Sequence, residues 1–245
     1  MKEQEKARHL SRLKILIKKI KNLKRNILDS HSTKSYSQEG EDMILRRIFE
    51  NHHQGFYIDV GAHHPKRFSN TFYFYKKGWS GINIDAMPLS MKLFNKVRPR
   101  DINIESPISN KKEMLDYYIF NEPALNGFSR TISKERDNME DYEIINTREL
   151  ETNTLENVLD QHLPSNTPID FLTVDVEGLD YNVLLSNNFT KYRPKVILIE
   201  ILGKTFDGIS TSEITKLLTG LNYSIISKTF NTVFFVCNNY AQQSD

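Results

Sequence analysis

Hydrophobic residues recur along this chain with two different periods, and each change of period marks the edge of an element. Leu13, Leu16, Ile20, Leu23 and Ile27 step by 3, 4, 3 and 4, which draws one apolar stripe along a helix. From about Tyr36 short apolar runs alternate with helical spacings. "GFYIDV" from Gly55 reads as a buried strand, and "RFSNTFYFYKKG" as a helix stopped by Gly78. "GINIDA" from Gly81 is the next strand, and "PLSMKLFNKV" a helix with Pro88 at its N-terminus. "DINIES" is a third strand. The regularity then loosens between residues 113 and 152, which predicts a β-rich stretch and an exposed loop or cap. It returns at Asn153, where Asn153 and Glu156 form a capping box for "TLENVLDQHL". Strand "IDFLTVDV", helix "LDYNVLLSNN", strand "KVILIEI" and helix "SEITKLLTG" follow, the last capped by Ser210 with Glu213 and stopped by Gly220. "NYSIIS" and "TVFFVC" close the chain as an antiparallel hairpin on the edge of a parallel sheet. Alternating strands and helices of this kind predict an α/β domain over residues 31–245, preceded by a helical extension over residues 1–30.

Charge separates the two regions. Residues 1–30 hold ten Lys/Arg against Glu3, Glu5 and Asp29, a net +7 that leaves −5 for the rest of a chain whose total is +2. The extension is therefore an amphipathic helix with basic faces. Packing on its own domain or on a second subunit is the first expectation, and contact with an anionic membrane surface the alternative. Nucleic acid fits less well, because the basic run has no interleaved aromatics and the remaining chain is acidic. The 245 residues contain one cysteine, Cys237, inside an apolar run. No intrachain disulfide can form, so a reducing compartment fits. There is no apolar run of membrane-spanning length and no secretory h-region, which places the expected location in the cytoplasm.

In an open parallel sheet ligands bind outside the carboxyl ends of the strands, and here those ends are acidic. Asp59, Asp85, Glu105, the pair Asp175 and Glu177, and Glu200 close five successive strands. A dinucleotide loop needs G-x-G-x-x-G so that backbone amides can approach a pyrophosphate. "DVGAHHPKRF" has a single glycine and places Asp59 where a phosphate would be repelled. A cofactor without phosphate and with a positive centre suits the loop better. S-adenosylmethionine has a sulfonium, an ammonium and a ribose whose two hydroxyls Asp85 can accept from, the physics by which an acidic residue reads a ribose in dinucleotide folds.

"FYIDVGAHHP", "GINIDAMP", "TLENVL" and "IDFLTVDVEG", in this order, resemble the FkbM family of S-adenosylmethionine-dependent methyltransferases from about Tyr36 to Ile201. The resemblance implies a Rossmann-like seven-stranded class I methyltransferase fold, with the final hairpin supplying two strands. It also implies O-methylation of sugar or polyketide hydroxyls, and points to a bacterial surface glycan or its nucleotide-linked precursor as acceptor. By the same resemblance Asp59, Gly61 and His63 fall on the cofactor loop, Asp85 and Ala86 on the ribose and adenine side, and Ser69 and Asn70 at the cofactor's amino-acid end.

Asp175 and Glu177 are two apart at a strand end, so their side chains emerge on one side and can converge. An alcohol acceptor must lose a proton on methylation. Asp175 and Glu177 are the expected orienting and deprotonating groups, and His64 a second candidate base. A loosely held divalent ion on the two carboxylates is the less favoured alternative, since no strong metal motif is present. The segment Asn121 to Ser129, rich in amides and turn formers, is expected to shape the acceptor pocket, and Trp79 to be core. Two other classes remain open: a glycosyltransferase reading Asp-Val-Glu as a metal motif, and a non-catalytic methyltransferase-like module tethered by the basic helix.

Overall fold

Strand β1 (Phe56–Val60) is buried along its whole length, and successive residues serve opposite faces of a sheet. Phe56, Ile58 and Val60 join one apolar core with Leu172 and Val174 of β6 (Phe171–Val174) and with Leu155, Val158 and Leu159 of α6 (Leu155–His162). Tyr57 joins a second core on the other face with Phe171, with Leu45 of α2 (Glu41–Ile48), and with Phe49, Phe74 and Trp79. Helices on both faces leave no wet side, which is why β1 and β6 are buried throughout and mostly apolar, with Asp59 and Thr173 the exceptions. The computed structural model describes residues 12–20, 22–23, 31–137, 139, 141–202 and 205–241.

The chain divides into two units, Met1–Ser35 and Tyr36–Asp245. In the first, residues 12–20 and 22–23 are helical (α1), and Ile27 of the expected stripe lies outside the described residues. In the second, a seven-stranded sheet runs β3 (Ile102–Glu105), β2 (Ser80–Asp85), β1, β6, β7 (Val196–Glu200), β9 (Thr232–Cys237), β8 (Tyr223–Lys228). The first five pair in parallel, and β9 is antiparallel to both β7 and β8. Strand order reverses between β1 and β6, so the carboxyl ends of those two strands border the crevice where such sheets bind ligands. The irregular stretch is a separate antiparallel pair, β4 (Met114–Phe120) and β5 (Ile144–Glu151), with a 3-10 turn Pro123–Leu125 and helix α5 (Arg130–Arg136) between them. Trp79 and Cys237 are buried as expected.

Several local expectations shift by a few residues. Helix α6 is capped by Thr154, whose hydroxyl accepts from the Asn157 amide, and not by Asn153. Glu156 does not turn back to complete a capping box; it accepts from Asn188. Helix α9 (Glu213–Gly220) is capped by Ser212 and not Ser210. Ser210 ends a short helix, α8 (Phe206–Ser210), that has too few residues for a periodic signature. Helix α4 (Met91–Val97) begins three residues after Pro88, and α3 (Phe72–Lys76) covers only the second half of its segment.

The residues ahead of α3 are held by a buried polar network beneath the sheet end. Arg98, fully buried, donates to Asp101 at 2.8 Å, to the Tyr57 hydroxyl at 2.9 Å and to Thr71 at 3.0 Å. Thr71 donates onward to Asp59 at 2.8 Å, and Asn83 and the Gly81 amide donate to Asp101. Burial raises the Asp59 pKa to about 6, and the guanidinium of Arg98 holds it down from going further.

Candidate active site

The carboxyl ends of β1, β2, β6 and β7 and the inner side of the residue 113–152 insertion enclose a cavity of about 760 Å³. Its wall is built first from the loop after β1. Gly61 has φ +87°, and a Cβ there would lie 1.7 Å from the Asp175 carbonyl oxygen, so only glycine lets the loops after β1 and β6 touch. The Gly61 and Ala62 amides both donate to the Ile84 carbonyl, which ties the same loop to β2. Asp85 completes the tie: it accepts from the His63 amide at 2.7 Å and the Met87 amide at 2.8 Å, one on each oxygen. One lone pair on each oxygen is left for a ligand. Burial raises the Asp85 pKa, and the two amides, with the Ser90 hydroxyl nearby, oppose that rise.

Gly61, His63, His64, Asn70, Asp85, Ala86, Asp175 and Glu177 therefore share one cavity. Asp59 and Ser69 lie outside it: both are buried, Asp59 bonded to Thr71, and Ser69 accepting from the Phe72 amide at the start of α3. They shape the loop from behind. Asn70 is fixed by donating to Thr173 on β6. His64 is not arranged as a base. Its Nδ1 accepts from the Lys66 and Arg67 amides at 3.0 and 2.9 Å, so the lone pair a base would use closes a turn and the proton of the neutral ring sits on Nε2. Burial, with Arg67 and Lys66 nearby, lowers its pKa and keeps it neutral. His63, in a left-handed conformation (φ +50°), has a buried Nε2 with no protein partner.

The strand ends after β6 and β7 bring three carboxylates together. One oxygen each from Asp175, Glu177 and Glu200 lie within 4.8 Å of one another. Glu177 reaches this point because it takes φ +54°, and Asp180 locks the turn by accepting from the Val176 and Gly178 amides. Asp175 faces the cavity's solvent, yet burial and then the charges of Glu200 and Glu177 push its pKa well above the usual range. Glu200 is pushed up to about 8, first by burial and then by Glu177 and Asp180. Glu177 differs in having a cation, the Arg136 guanidinium at 2.7 Å, which opposes the upward pull of burial.

Arg136 comes from α5 in the insertion, and Gly127 and Gly178 mark where the insertion's "NGFS" segment lies against the loop after β6. On the opposite rim Arg67 grips Glu122 through two hydrogen bonds of 3.0 and 3.2 Å. Glu122 to Asn126 and Phe128 line the cavity, within the segment expected to shape a pocket. Glu105 does not: its carboxylate accepts from the Leu89 amide and holds the loop after β2. Two site members escaped the sequence reading. Glu200 stood out as an acidic strand end but had no visible partner, and nothing local marks Arg136, whose significance comes from a contact with Glu177 across 41 positions. Among the described residues, seven carboxylates and two guanidinium groups line the cavity, and both guanidiniums are already paired.

A mostly parallel seven-stranded sheet with an antiparallel end, and a cavity at the point where strand order reverses, define the Rossmann-like methyltransferase fold. The FkbM methyltransferase domain matches residues 59–225, well over half of the chain, and the protein belongs to that family. No curated protein matches the chain. Membership makes it a methyltransferase and sets aside the glycosyltransferase reading of Asp-Val-Glu.

Proposed function

We propose that the protein takes S-adenosylmethionine as methyl donor and methylates a hydroxyl of a sugar in a bacterial surface glycan or its precursor. The observation that carries this reading is the cavity's lining: of its seven carboxylates two are paired with the two guanidiniums, and the rest, Asp175 and Glu200 held towards the protonated form by burial, can ionise towards a cationic ligand while no free guanidinium is left for a phosphate. The residues fit that group, since Asp85 keeps a lone pair on each oxygen beside Ala86, and the volume lies within the range of small-molecule sites.

When bound, S-adenosylmethionine supplies an electrophilic methyl group. The chain's own residues orient the acceptor and receive its proton. Glu177 is paired with Arg136 of the insertion, and Asp180 fixes the turn that follows Asp175. Asp175 and Glu200 form no ion pair among the described residues, and their raised pKa makes them stronger bases for a hydroxyl proton once ionised, towards about pH 8 for Glu200. Labelled-methyl transfer to nucleotide-linked and polymer-linked sugars, run beside calorimetry with S-adenosylhomocysteine, tests both halves. No binding sinks the donor assignment and also leaves a non-catalytic module in place. Binding with transfer only to non-sugar acceptors sinks the acceptor class.

Asp85→Ala should weaken S-adenosylhomocysteine binding about tenfold or more, because a charge-assisted hydrogen bond to each ribose hydroxyl is worth about 1.5–3 kcal/mol. Asp85→Asn, which keeps one acceptor oxygen, should lose less. Affinity unchanged in both variants, measured by calorimetry, removes Asp85 from the cofactor's site.

The 4.8 Å spacing of the three carboxylates specifically favours a second reading, in which they hold a hard divalent ion that acidifies the acceptor hydroxyl. Chelation that abolishes turnover, with recovery on adding magnesium or manganese, would assign them as ligands instead of bases.

A further inference from the structure

Helix α1 presents an apolar surface that the methyl-transfer reading does not use. Leu13, Leu16, Ile20 and Leu23 are 48–60% exposed, and Ile15 and Ile17 are exposed as well. At 100° per residue, Leu13, Leu16, Ile17, Ile20 and Leu23 occupy an arc of roughly 120°. Arg12 and Lys19 border that arc on one edge, Lys14 lies beyond the other, and Lys18 is opposite; all four are exposed. A large apolar arc flanked by cations calls for an occupant that is apolar in its depth and anionic at its rim.

A second copy of the chain supplies the first property and lacks the second. Between Lys6 and Leu28 the sequence has nine Lys/Arg and no Asp or Glu. Two such helices packed seam to seam would set lysines and arginines of one copy against those of the other, where helix pairs normally place opposite charges. An anionic lipid surface meets both conditions, with acyl chains for the arc and phosphate headgroups for the rim. Among the described residues no helix is long and apolar enough to cross a membrane, so binding in the plane of the interface is the mode that α1 fits. We infer that α1 is an interfacial anchor that docks the protein on membranes containing anionic phospholipid, with its apolar arc in the headgroup–acyl boundary.

The test uses the full chain and vesicles of phosphatidylcholine with or without phosphatidylglycerol, read by co-sedimentation. Binding should require phosphatidylglycerol and fall as salt rises. Lys14→Glu/Lys18→Glu and, separately, Leu16→Asp/Ile20→Asp should each lower partitioning about tenfold or more. S-adenosylhomocysteine binding should be unchanged in both, which shows that the folded domain survives. Light scattering on the same samples distinguishes the rival: if Leu16→Asp/Ile20→Asp turns a dimer into a monomer while vesicle binding is absent or unaltered, the stripe is a self-association seam. That result, or no binding of the wild type to phosphatidylglycerol vesicles, overturns the proposal.

Discussion

Asp175→Asn and Glu200→Gln are each expected to bind S-adenosylhomocysteine nearly as tightly as the wild type while losing methyl transfer by about a hundredfold or more, the loss typical of a general acid/base group. Both side chains belong to a cluster whose oxygens lie within 4.8 Å, and neither is paired with a cation among the described residues. The substitutions are nearly isosteric and remove charge from a place where burial and like charges already disfavour it. They should therefore leave stability intact or raise it, so lost turnover cannot be ascribed to unfolding. The pH profiles carry the same signature. A base must be unprotonated, so wild-type turnover should climb with pH until the cluster ionises, near the value of about 8 to which Glu200 is raised. Stability runs the other way. A carboxyl whose folded pKa exceeds its unfolded one favours the fold fully below the ordinary carboxylate range, and that contribution is lost as pH rises towards about 8. Glu200→Gln should flatten this decline. Turnover that survives in both variants would place the proton acceptor elsewhere in the cavity.

The parts of this site legible in the sequence are those fixed by the backbone period. A strand end is visible as the last residue of an apolar run, so Asp85, Asp175 and Glu200 could be picked out, and the reversal of strand order then brings them to one cavity. The single glycine after β1 was legible as the absence of a phosphate cradle. Its actual reason, a backbone contact with Asp175, is a meeting of residues 114 positions apart that no local pattern encodes. The same limit hid Arg136 and the turn that engages His64: a histidine's availability depends on which of its nitrogens the fold has already engaged. Asp59 and Ser69 were placed in the cavity by their position in the motif. The structure turns both towards Thr71 and Arg98, because the strand alternation that sends Ile58 and Val60 to one core sends Tyr57 and Asp59 to the other face. A polar strand residue on the buried side needs partners: Asp59 has Thr71, and Tyr57 has Arg98 and Asp101, which arrive from the connection between α4 and β3.

Arg98→Met should be the most destabilising of the substitutions considered, by about 3–5 kcal/mol, the cost of leaving a buried charge without its partner. Methionine fills much of the side chain's volume, so the loss is electrostatic and not a cavity. The guanidinium donates to Asp101, Thr71 and Tyr57, and through Thr71 it supports Asp59; no water-exposed group can replace it, because Arg98 is 0% exposed. Denaturant unfolding should show a lower midpoint with an unchanged slope. Arg98→Met combined with Asp101→Asn should recover part of the loss, since the stranded carboxylate is then removed too. The pH dependence identifies the second stranded group. Asp59 has a folded pKa of about 6, raised by burial and restrained by Arg98, so without Arg98 it rises further. Below about pH 6 Asp59 is protonated in the wild type as well, and its share of the deficit disappears; above that pH the wild type ionises at lower cost and the gap widens. S-adenosylhomocysteine affinity should fall in parallel, because Ser69 and Thr71 anchor the loop that ends at Asn70 on the cavity wall. A loss of under about 1 kcal/mol, the scale of an ordinary surface substitution, would mean that water or rearranged side chains satisfy these carboxylates and that the network does not hold the cofactor loop in place.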